Sequence, residues 1–439
     1  MGIRPACPAF PRLLLLAVLA FLVLPPGPIT AQEELHAFVG AHLLPIVGPE
    51  VEDGVLLVRG TRIEAMGPRS EVVIPTGAQV HDLTGRWLMP GLVDTHSHLG
   101  RGDGGDRSSP LHPDVRILDA LDARDPGLRK ALAGGITTVN VMPGSGLLIS
   151  GQTAYLKLRG GRTIYDLLFC EDPLTEVCGG LKMANGTNPI GAAPMPATRA
   201  RSAALVRAEF LKAREYRDRL QAAGDDPSQQ PPRDLKMETL VEVLEGRRIV
   251  HNHTHRHDDV LTALRLREEF GYTVVLHHVS DAHLVADEIA AAGVASSIVA
   301  PDSPGGKEEA LRSGFSAGAA LERAGAAVGF HSDDSITDSR LFRRLGGMSV
   351  RYGMSREGAL AGLTLAGARM LGLEDRVGSL EPGKDADFII LNGDPLSVYS
   401  HVEETWVEGR KVFDRSRLVD RAYAEGGPDA SRPYPEGHR

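Results

Sequence analysis

The chain has 439 residues, of which 42% are hydrophobic and 24% charged, with 50 Gly and 29 Pro. This composition is typical of a globular protein and excludes a collagen, a coiled coil and a largely disordered chain. The formal net charge of -9 argues against nucleic acid or an anionic membrane as partner, because both attract basic surfaces. Since apolar cores stop growing at about 250–300 residues, we expect one large domain and one smaller domain.

Residues 1–31 predict a secretory signal peptide. Arg4 and Arg12 precede an apolar run that extends from Leu13 to Leu24, and Ala31 provides a small residue at the cleavage position. The run is shorter than the roughly 20 residues that a membrane span requires. We therefore expect an exported protein, periplasmic or secreted, with no stable membrane anchor after cleavage. An uncleaved anchor is the alternative.

Two cysteines, Cys170 and Cys178, remain after this cleavage. In an exported protein they can pair, and closing so short a loop is worth about 2–3 kcal/mol. The sequence leaves a disulfide and two buried free thiols equally open.

Both ends of the chain carry short β-branched runs that turns separate, which is the pattern of β-strands. The runs in residues 32–88 and 376–415 are Gly54–Val58, Arg62–Met66, Glu71–Ile74, Asp387–Leu391, Thr405–Val407 and Lys411–Phe413. They predict two parts of one small β domain. Residues 416–439 are charged and rich in Pro and Gly, and they predict a loosely ordered tail.

Residues 89–375 alternate apolar runs with amphipathic stretches, which indicates parallel strands joined by crossover helices. The eight predicted strands are Trp87–Val93, Ile136–Met142, Ala154–Leu158, Gly180–Ala184, Arg248–His253, Thr273–His278, Val294–Val299 and Ala327–His331. The predicted helices include Ser202–Leu220, Asp258–Phe270, Asp281–Ala292 and Glu308–Arg323. Eight strands over this length predict an α/β fold built as a (β/α)8 barrel, with a doubly wound open sheet as the alternative.

A histidine pair ends the first predicted strand, in the segment Met89-Pro-Gly-Leu-Val-Asp-Thr-His-Ser-His98. Side chains two apart on a strand share a face, so His96 and His98 are expected to project together. In a parallel barrel, the carboxyl ends of the strands collect the catalytic groups. Two neutral imidazoles at this spacing predict ligands for zinc or a similar divalent ion.

Three more polar clusters end predicted strands five, six and eight: His251-Asn-His-Thr-His-Arg-His257, His277-His278 and Gly329-Phe-His-Ser-Asp-Asp334. A metal needs only one or two histidines of the first cluster, and a solvated histidine tract is its alternative. Because adjacent strand residues face opposite ways, only one of His277 and His278 is expected inside the barrel. A carboxylate of the third cluster can bind metal and accept a proton, whereas helix capping is the alternative for the acid pair.

Together these motifs resemble the metal-dependent amidohydrolase superfamily, and most closely its imidazolonepropionase-like and prolidase-like branch. The resemblance is carried by Leu88–His98, Asp258–Phe270 and Leu371–Asp387, and it spans nearly all of residues 50–415. It implies a (β/α)8 TIM barrel at residues 89–375 beside a small β-sandwich formed by residues 32–88 and 376–415. It also implies a hydrolase that cleaves a C–N bond of an amide, cyclic amide or dipeptide through metal-activated water.

The resemblance assigns a role to individual residues. The implied metal ligands are His96, His98, His253, His278 and Asp333, and Asp333 is also the implied general base. A carboxylated lysine that bridges two metals would be Lys182, with Lys157 as the second candidate. The implied cofactor is a divalent metal, zinc in expectation, with one or two ions left open. The implied partner is a small-molecule substrate, and a homo-oligomer stays open.

Two other functions remain open at this point. The segment Gly314-Phe-Ser-Ala-Gly318 fits the nucleophile elbow of a serine hydrolase that would use Ser316, although a helical stretch and not a strand is predicted before it. A catalytically silent metal-binding protein would carry the same ligands. Tyr155 and Arg116 are candidates for substrate contact. The alternative for Tyr155 is an aromatic ring packed in the core, and the alternative for Arg116 is a solvated charge.

Overall fold

The computed structural model describes residues 1–2, 34–102, 104–299, 307–334 and 336–426. The chain divides into two units, Met1–Glu33 and Glu34–Arg439, and the architecture below is that of the second unit. The predicted signal peptide lies outside the described residues, apart from Met1 and Gly2. None of the helices within the described ranges is both long enough and apolar enough to cross a membrane.

The strands of the described residues are β1 Leu35–Leu43, β2 Val51–Arg59, β3 Arg62–Pro68, β4 Gln79–Asp82, β5 Trp87–Pro90, β6 Leu92–Ser97, β7 Ile136–Val141, β8 Ile149–Gln152, β9 Ala154–Lys157, β10 Leu181–Ala184, β11 Val250–Thr254, β12 Val274–His278, β13 Ala295–Ile298, β14 Val328–Phe330, β15 Phe388–Leu391, β16 Val402–Val407 and β17 Arg410–Asp414. The helices are α1 Pro126–Ala133, α2 Arg199–Ala223, α3 Leu235–Leu244, α4 His257–Phe270, α5 Ala282–Ala291, α6 Ala317–Arg323, α7 Arg344–Arg351, α8 Arg356–Leu363, α9 Leu365–Leu371 and α10 Leu418–Glu425. The fold is therefore of the α/β class.

The largest sheet combines strands from the two predicted β segments. Its order is β17-β16-β15-β5-β1-β2-β3, and β4 pairs with β1. Successive side chains of a strand point to opposite faces, so Phe38 of β1 packs with Phe388 and Trp406 on one face. Ala37 and Val39 lie in a separate apolar cluster on the other face. Both faces of the central strands are thus buried, while the predicted domain boundaries themselves stay a prediction.

The middle of the chain forms two further sheets, with the orders β14-β13-β12-β11-β10-β8 and β6-β7-β9. Strands β10 to β14 are parallel to one another, and β6 is parallel to β7. In each parallel set the carboxyl ends of the strands lie at one edge, which is where the predicted metal ligands occur in the sequence.

One strand position runs against the predicted direction. β9 is antiparallel to β7, and β8 is antiparallel to β10, with only Thr153 between β8 and β9. A parallel return requires a crossover of about a dozen residues or more, but only residues 142–148 separate β7 from β8. The chain therefore turns back directly, and the prediction of eight parallel strands is wrong at its third position.

Three predicted elements also differ from the observed ones. The predicted strand Trp87–Val93 is divided at Gly91 into β5 and β6 of different sheets, and a Cβ at Gly91 would come within 2.1 Å of the Thr137 side chain. The predicted helix Glu308–Arg323 is a 3-10 turn, Glu308–Ala310, followed by α6, because Gly314 disfavours a continuous helix. The predicted loose tail contains α10, which buried Tyr423 anchors to the main core.

The ends of β6 and β14 meet although the two strands belong to different sheets. The Thr95 hydroxyl donates a hydrogen bond to the Phe330 carbonyl oxygen at 3.3 Å. Just beyond both strands, the Asp333 backbone N–H donates to the His96 carbonyl oxygen at 2.9 Å. These contacts bring the histidine pair and the acid pair of the sequence to one place.

Cys170 and Cys178 form a disulfide, which decides the alternative that the sequence left open. The bridged loop runs along β9 through two main-chain hydrogen bonds. Phe169 N–H donates to the Tyr155 carbonyl oxygen at 3.2 Å, and Tyr155 N–H donates to the Cys178 carbonyl oxygen at 2.9 Å. Tyr155 is thereby held on both sides of its backbone.

A buried ion cluster fixes β9 to the largest sheet. Lys157 is fully buried, and its Nζ contacts Asp385, lies 3.0 Å from Asp387 Oδ2 and lies 3.5 Å from Glu408 Oε1. Arg376 joins the cluster through Asp385, at 2.9 Å. Because β9 is reversed, Lys157 lies beside Thr138, near the beginning of β7, and far along the strands from their carboxyl ends. Lys157 is therefore the wrong candidate for a bridging lysine.

We expect Lys157→Met to lower the free energy of unfolding by about 3–5 kcal/mol, because the buried carboxylates lose their cation. Urea unfolding followed by circular dichroism measures this change. The control is Arg233→Met, which removes a solvent-exposed pair with Glu238 and should change stability by no more than about 1 kcal/mol. Equal stabilities for the two variants would contradict the structural role of the cluster.

Candidate metal centre

Histidines and one lysine occupy the carboxyl ends of the middle strands. These side chains and one aspartate are supplied by β6, β10, β11, β12 and the segments that follow β6, β11 and β14: His96, His98, Lys182, His251, His253, His255, His277, His278, His331 and Asp333. Most of these residues are buried, but the side chains of His98 and Asp333 are 30% and 18% exposed. The interior of this region is therefore polar, with an opening at His98 and Asp333.

The first ligand group consists of His96, His98 and Asp333, whose ligand atoms lie within 4.8 Å of one another. Asp333 Oδ1 is 3.3 Å from His96 Nε2 and 3.0 Å from His98 Nε2. His98 Nδ1 lies 2.8 Å from the Met142 carbonyl oxygen, which can only accept, so this nitrogen carries the proton. A neutral His98 then directs a lone pair at a carboxylate oxygen, and only a proton or a metal cation between them makes this contact favourable.

The second ligand group consists of His253, His255 and His278, again within 4.8 Å. Neither ring nitrogen of His253 has a hydrogen-bond partner among the described residues, and the same holds for Nε2 of His255 and of His278. A buried polar atom without a partner costs about 1–3 kcal/mol. A divalent cation would satisfy these lone pairs, so the donor set fits the metal that the sequence predicts.

Burial keeps these imidazoles neutral. Desolvation lowers the pKa of His96, His253 and His278 well below 6.5, and neighbouring charged groups lower it further. Desolvation also lowers the pKa of His331 to about 3. Neutral imidazole is the form that donates a lone pair to a metal, so the rings are in the binding state near neutral pH.

Asp333 combines burial with a negative charge. Desolvation alone would raise the pKa of its carboxyl, but the neighbouring side chains of His98, His331 and Lys182 lower it overall. Its backbone is left-handed, with φ of 48°. The neighbouring Asp334 is turned away and accepts a hydrogen bond from Ser339 N–H at 3.0 Å. The structure thus places Asp333, and not Asp334, against the histidines.

Lys182 is fully buried next to the first ligand group, and its Nζ lies 3.2 Å from His96 Nε2. Desolvation lowers the pKa of this amine to about 7, against an opposing effect of the Asp333 carboxylate. A large fraction of Lys182 is therefore uncharged near neutral pH. Of the two predicted lysines, this one alone lies with the ligands.

The prediction that one of His277 and His278 points away from the interior is wrong. His277 lies within 4.8 Å of His96 and His331, and His278 lies with His253. The cause is the backbone: His278 has φ of 74° and Val279 has φ of 44°, so the strand and its alternation end at His278. His277 also contacts His251 at 3.1 Å, and Tyr155 contacts His251 at 2.9 Å.

Sequence reasoning did not select His331, although a signal was present. His331 stands two residues before Asp333, the same spacing that identified His96 and His98. Arg116, by contrast, is a surface residue paired with Asp119 at 2.9 Å, which fits the solvated charge.

Comparison with known proteins identifies the family. The model of the amidohydrolase family matches residues 187–413, just over half of the chain. Amidohydrolase tasK of Hapsidospora irregularis is 29% identical, over 92% of this chain and 43% of that protein. Imidazolonepropionase of Deinococcus radiodurans is 35% identical, over 29% of this chain and 39% of that protein. The matches therefore cover less than half the length of these curated relatives.

A solved amidohydrolase from Thermotoga maritima is similar over much more of the chain. It superimposes with a TM-score of 0.80 at 32% identity, over 86% of this chain and 100% of that one. The resemblance to the amidohydrolase superfamily seen in the sequence motifs is thereby confirmed. The chain belongs to the amidohydrolase family.

Proposed function

We propose that the protein is a metal-dependent hydrolase that cleaves the C–N bond of an amide, a cyclic amide or a dipeptide. The observation that carries this proposal is the contact of Asp333 with His96 and His98 at the open end of a buried histidine cluster. A carboxylate there can reach both a metal and a substrate, because its side chain is partly exposed.

The ligands that we propose are His96, His98, Lys182, His253, His278 and Asp333. Imidazole nitrogens and a carboxylate are the donors that zinc accepts, and the set is large enough for one or two ions. When bound, the metal polarises a substrate carbonyl and makes water a stronger acid. The remaining chemistry falls to side chains of this protein.

Asp333 is the proposed general base and acid. Its lowered pKa keeps it ionised near neutral pH, so it can accept a proton from the attacking water. The protonated carboxyl then gives that proton to the leaving nitrogen, which restores the starting state. The left-handed backbone at Asp333 aims the carboxylate at His96 and His98, where both transfers would occur.

Lys182 is the proposed bridging ligand after carboxylation. An uncharged amine can react with carbon dioxide to give a carbamate and one proton, and the pKa of about 7 makes that amine available. The product is an anion with two oxygen donors. This carbamate would replace the amine of Lys182, whose protons repel a cation.

The closure of the barrel and the small β domain are also part of this proposal. We propose that β6 to β14 close into one TIM-like barrel, with β8 and β9 together filling an antiparallel third position. The contacts between the ends of β6 and β14 support this closure. The largest sheet would be the small β-sandwich domain that residues 32–88 and 376–415 share.

The structure offers little support for a serine hydrolase. Ser316 is exposed, and it precedes α6 after a 3-10 turn and a loop, whereas a nucleophile elbow follows a strand. Within the described residues, no hydrogen bond joins its hydroxyl to a histidine. A silent metal-binding protein is separated from a hydrolase by the activity measurements below.

We expect His253→Ala to lower the zinc affinity of the purified protein at least about 100-fold, because even the outer partners of ligands are worth about 10–100-fold. Chelator competition with zinc chloride measures this affinity. His36→Ala is the control, since His36 is a buried histidine of β1 that contacts His81 of β4 within the largest sheet, which holds none of the proposed ligands. Undiminished zinc binding by the His253 variant would remove His253 from the site.

We expect Asp333→Asn to keep zinc but lose at least about 100-fold in turnover, the usual worth of general acid–base catalysis, because an amide cannot accept the proton. A panel of dipeptides, lactams and simple amides provides the assay, and Asp334→Asn is the matched control.

Near-normal turnover by zinc-loaded Asp333→Asn would exclude Asp333 from the mechanism. Zinc binding by the wild-type protein without hydrolysis of any compound of the panel would favour the silent metal-binding protein. Activity that survives chelation and disappears in Ser316→Ala would favour the serine hydrolase.

We also propose export to the periplasm or the medium. Cleavage after Ala31 would give a mature chain that begins at Gln32, because the charged start and the short apolar run fit a signal peptide. N-terminal sequencing of the protein from fractionated cells measures this. Met1 retained on a membrane-bound protein would contradict the proposal.

A further inference from the structure

A buried chain of hydrogen bonds runs from His278 to a main-chain carbonyl across four strands. His278 Nδ1 lies 3.2 Å from His331 Nε2, and His331 Nδ1 lies 2.9 Å from Ser297 Oγ. Ser297 Oγ lies 2.7 Å from Thr95 Oγ1, which lies 3.3 Å from the Phe330 carbonyl oxygen. All four side chains are at most 5% exposed, so water has little access to the chain.

The last acceptor sets the direction of every bond. Either hydroxyl of the Thr95–Ser297 contact can donate, but a carbonyl oxygen only accepts, so we assign the single proton of the Thr95 hydroxyl to the Phe330 contact. Thr95 must then accept from Ser297, and Ser297, having used its own proton, must accept from His331. A neutral imidazole has one donor and one acceptor nitrogen, so His331 Nδ1 carries the proton and Nε2 accepts.

The consequence falls on His278. Because His331 Nε2 accepts, His278 Nδ1 must donate, and His278 Nε2 is left with a bare lone pair. That Nε2 atom is fully buried and has no hydrogen-bond partner among the described residues. The reverse direction would put a proton on this nitrogen, where it could not bind a metal.

The tautomer of His98 is fixed in the same way by a single hydrogen bond. Its Nδ1 donates directly to the Met142 carbonyl oxygen, which leaves Nε2 free toward Asp333. For His278, the side chains of His331, Ser297 and Thr95 separate the ring from the carbonyl oxygen at which the hydrogen-bond chain ends. Outer partners of metal-ligating histidines commonly fix ring orientation and tautomer in this way.

We propose that Thr95, Ser297 and His331 are positioning residues that hold His278 in the tautomer with a free Nε2 lone pair. This inference rests on the proposed metal-dependent function. It concerns metal affinity and not the chemistry of the substrate. The chain links strands β12, β14, β13 and β6, so it also joins the two middle sheets at the site.

The test is the zinc affinity of the purified full-length protein, measured by chelator competition with zinc chloride. Ser297→Ala removes the acceptor of His331 Nδ1, and we expect about 10–100-fold weaker zinc binding. The matched control is Ser296→Ala. Ser296 is the preceding residue on β13 and is equally buried, but its hydroxyl has no hydrogen-bond partner in the described structure. We expect this control to bind zinc like the wild type.

A second pair of variants tests the far end of the chain. Thr95→Val keeps the shape of the side chain but removes the hydroxyl that fixes the direction, so zinc binding should weaken as in Ser297→Ala. Thr95→Ser restores the hydroxyl and should restore affinity. Thermal unfolding of the metal-free variants shows whether each is folded, and a loss of packing alone would not be rescued by the smaller serine.

The outcomes separate the two proposals. Wild-type affinity in both Ser297→Ala and Thr95→Val would overturn the positioning role while leaving metal dependence intact. Equal losses in Ser296→Ala and Ser297→Ala would also overturn it, because the effect would then be packing. A wild-type protein that does not bind zinc would overturn the proposed function and the positioning role together.

Discussion

The arrangement of this protein depends on burying imidazole rings whose nitrogens lack hydrogen-bond partners among the residues that the structure describes. Each unsatisfied polar atom costs about 1–3 kcal/mol in a buried site, and His253 alone contributes two such atoms. Desolvation prevents the rings from escaping this cost by protonation, since it lowers their pKa values. A cation is the partner that satisfies neutral imidazole lone pairs directly. The free-energy cost of unpartnered buried atoms thus falls at the place where a metal would be bound.

Backbone geometry makes this concentration of rings possible. His278 and Asp333 both adopt left-handed conformations, which cost of the order of 1–3 kcal/mol for residues other than glycine. Such conformations persist only where surrounding contacts hold them, and Asp333 N–H is held by the His96 carbonyl oxygen. The two departures occur where strands end, so regular strands position the chain while irregular residues aim the side chains.

Local spacing was enough to predict part of the site. His96 and His98 were found from their spacing on one strand, and Asp333 and Lys182 were found through the family resemblance; all lie in the cluster. The inward position of both His277 and His278 could not be found in this way, because the positive φ of His278 ends the alternation of the strand. The reversal at β8 and β9 was missed because an apolar run looks the same in either direction, and only the loop length before it distinguishes the two.

Strand direction decides which lysine can serve the site. Had the third strand been parallel, its carboxyl end would have carried Lys157 to the edge where the histidines lie. The reversed strand takes Lys157 to the opposite end, where Asp385 and Asp387 compensate its buried charge. Strand β10 then presents Lys182 to His96, and the described residues place no such acid pair beside it. One reversal therefore places one buried lysine in an ion cluster, whereas the other lies beside the histidines, where burial lowers its pKa to about 7.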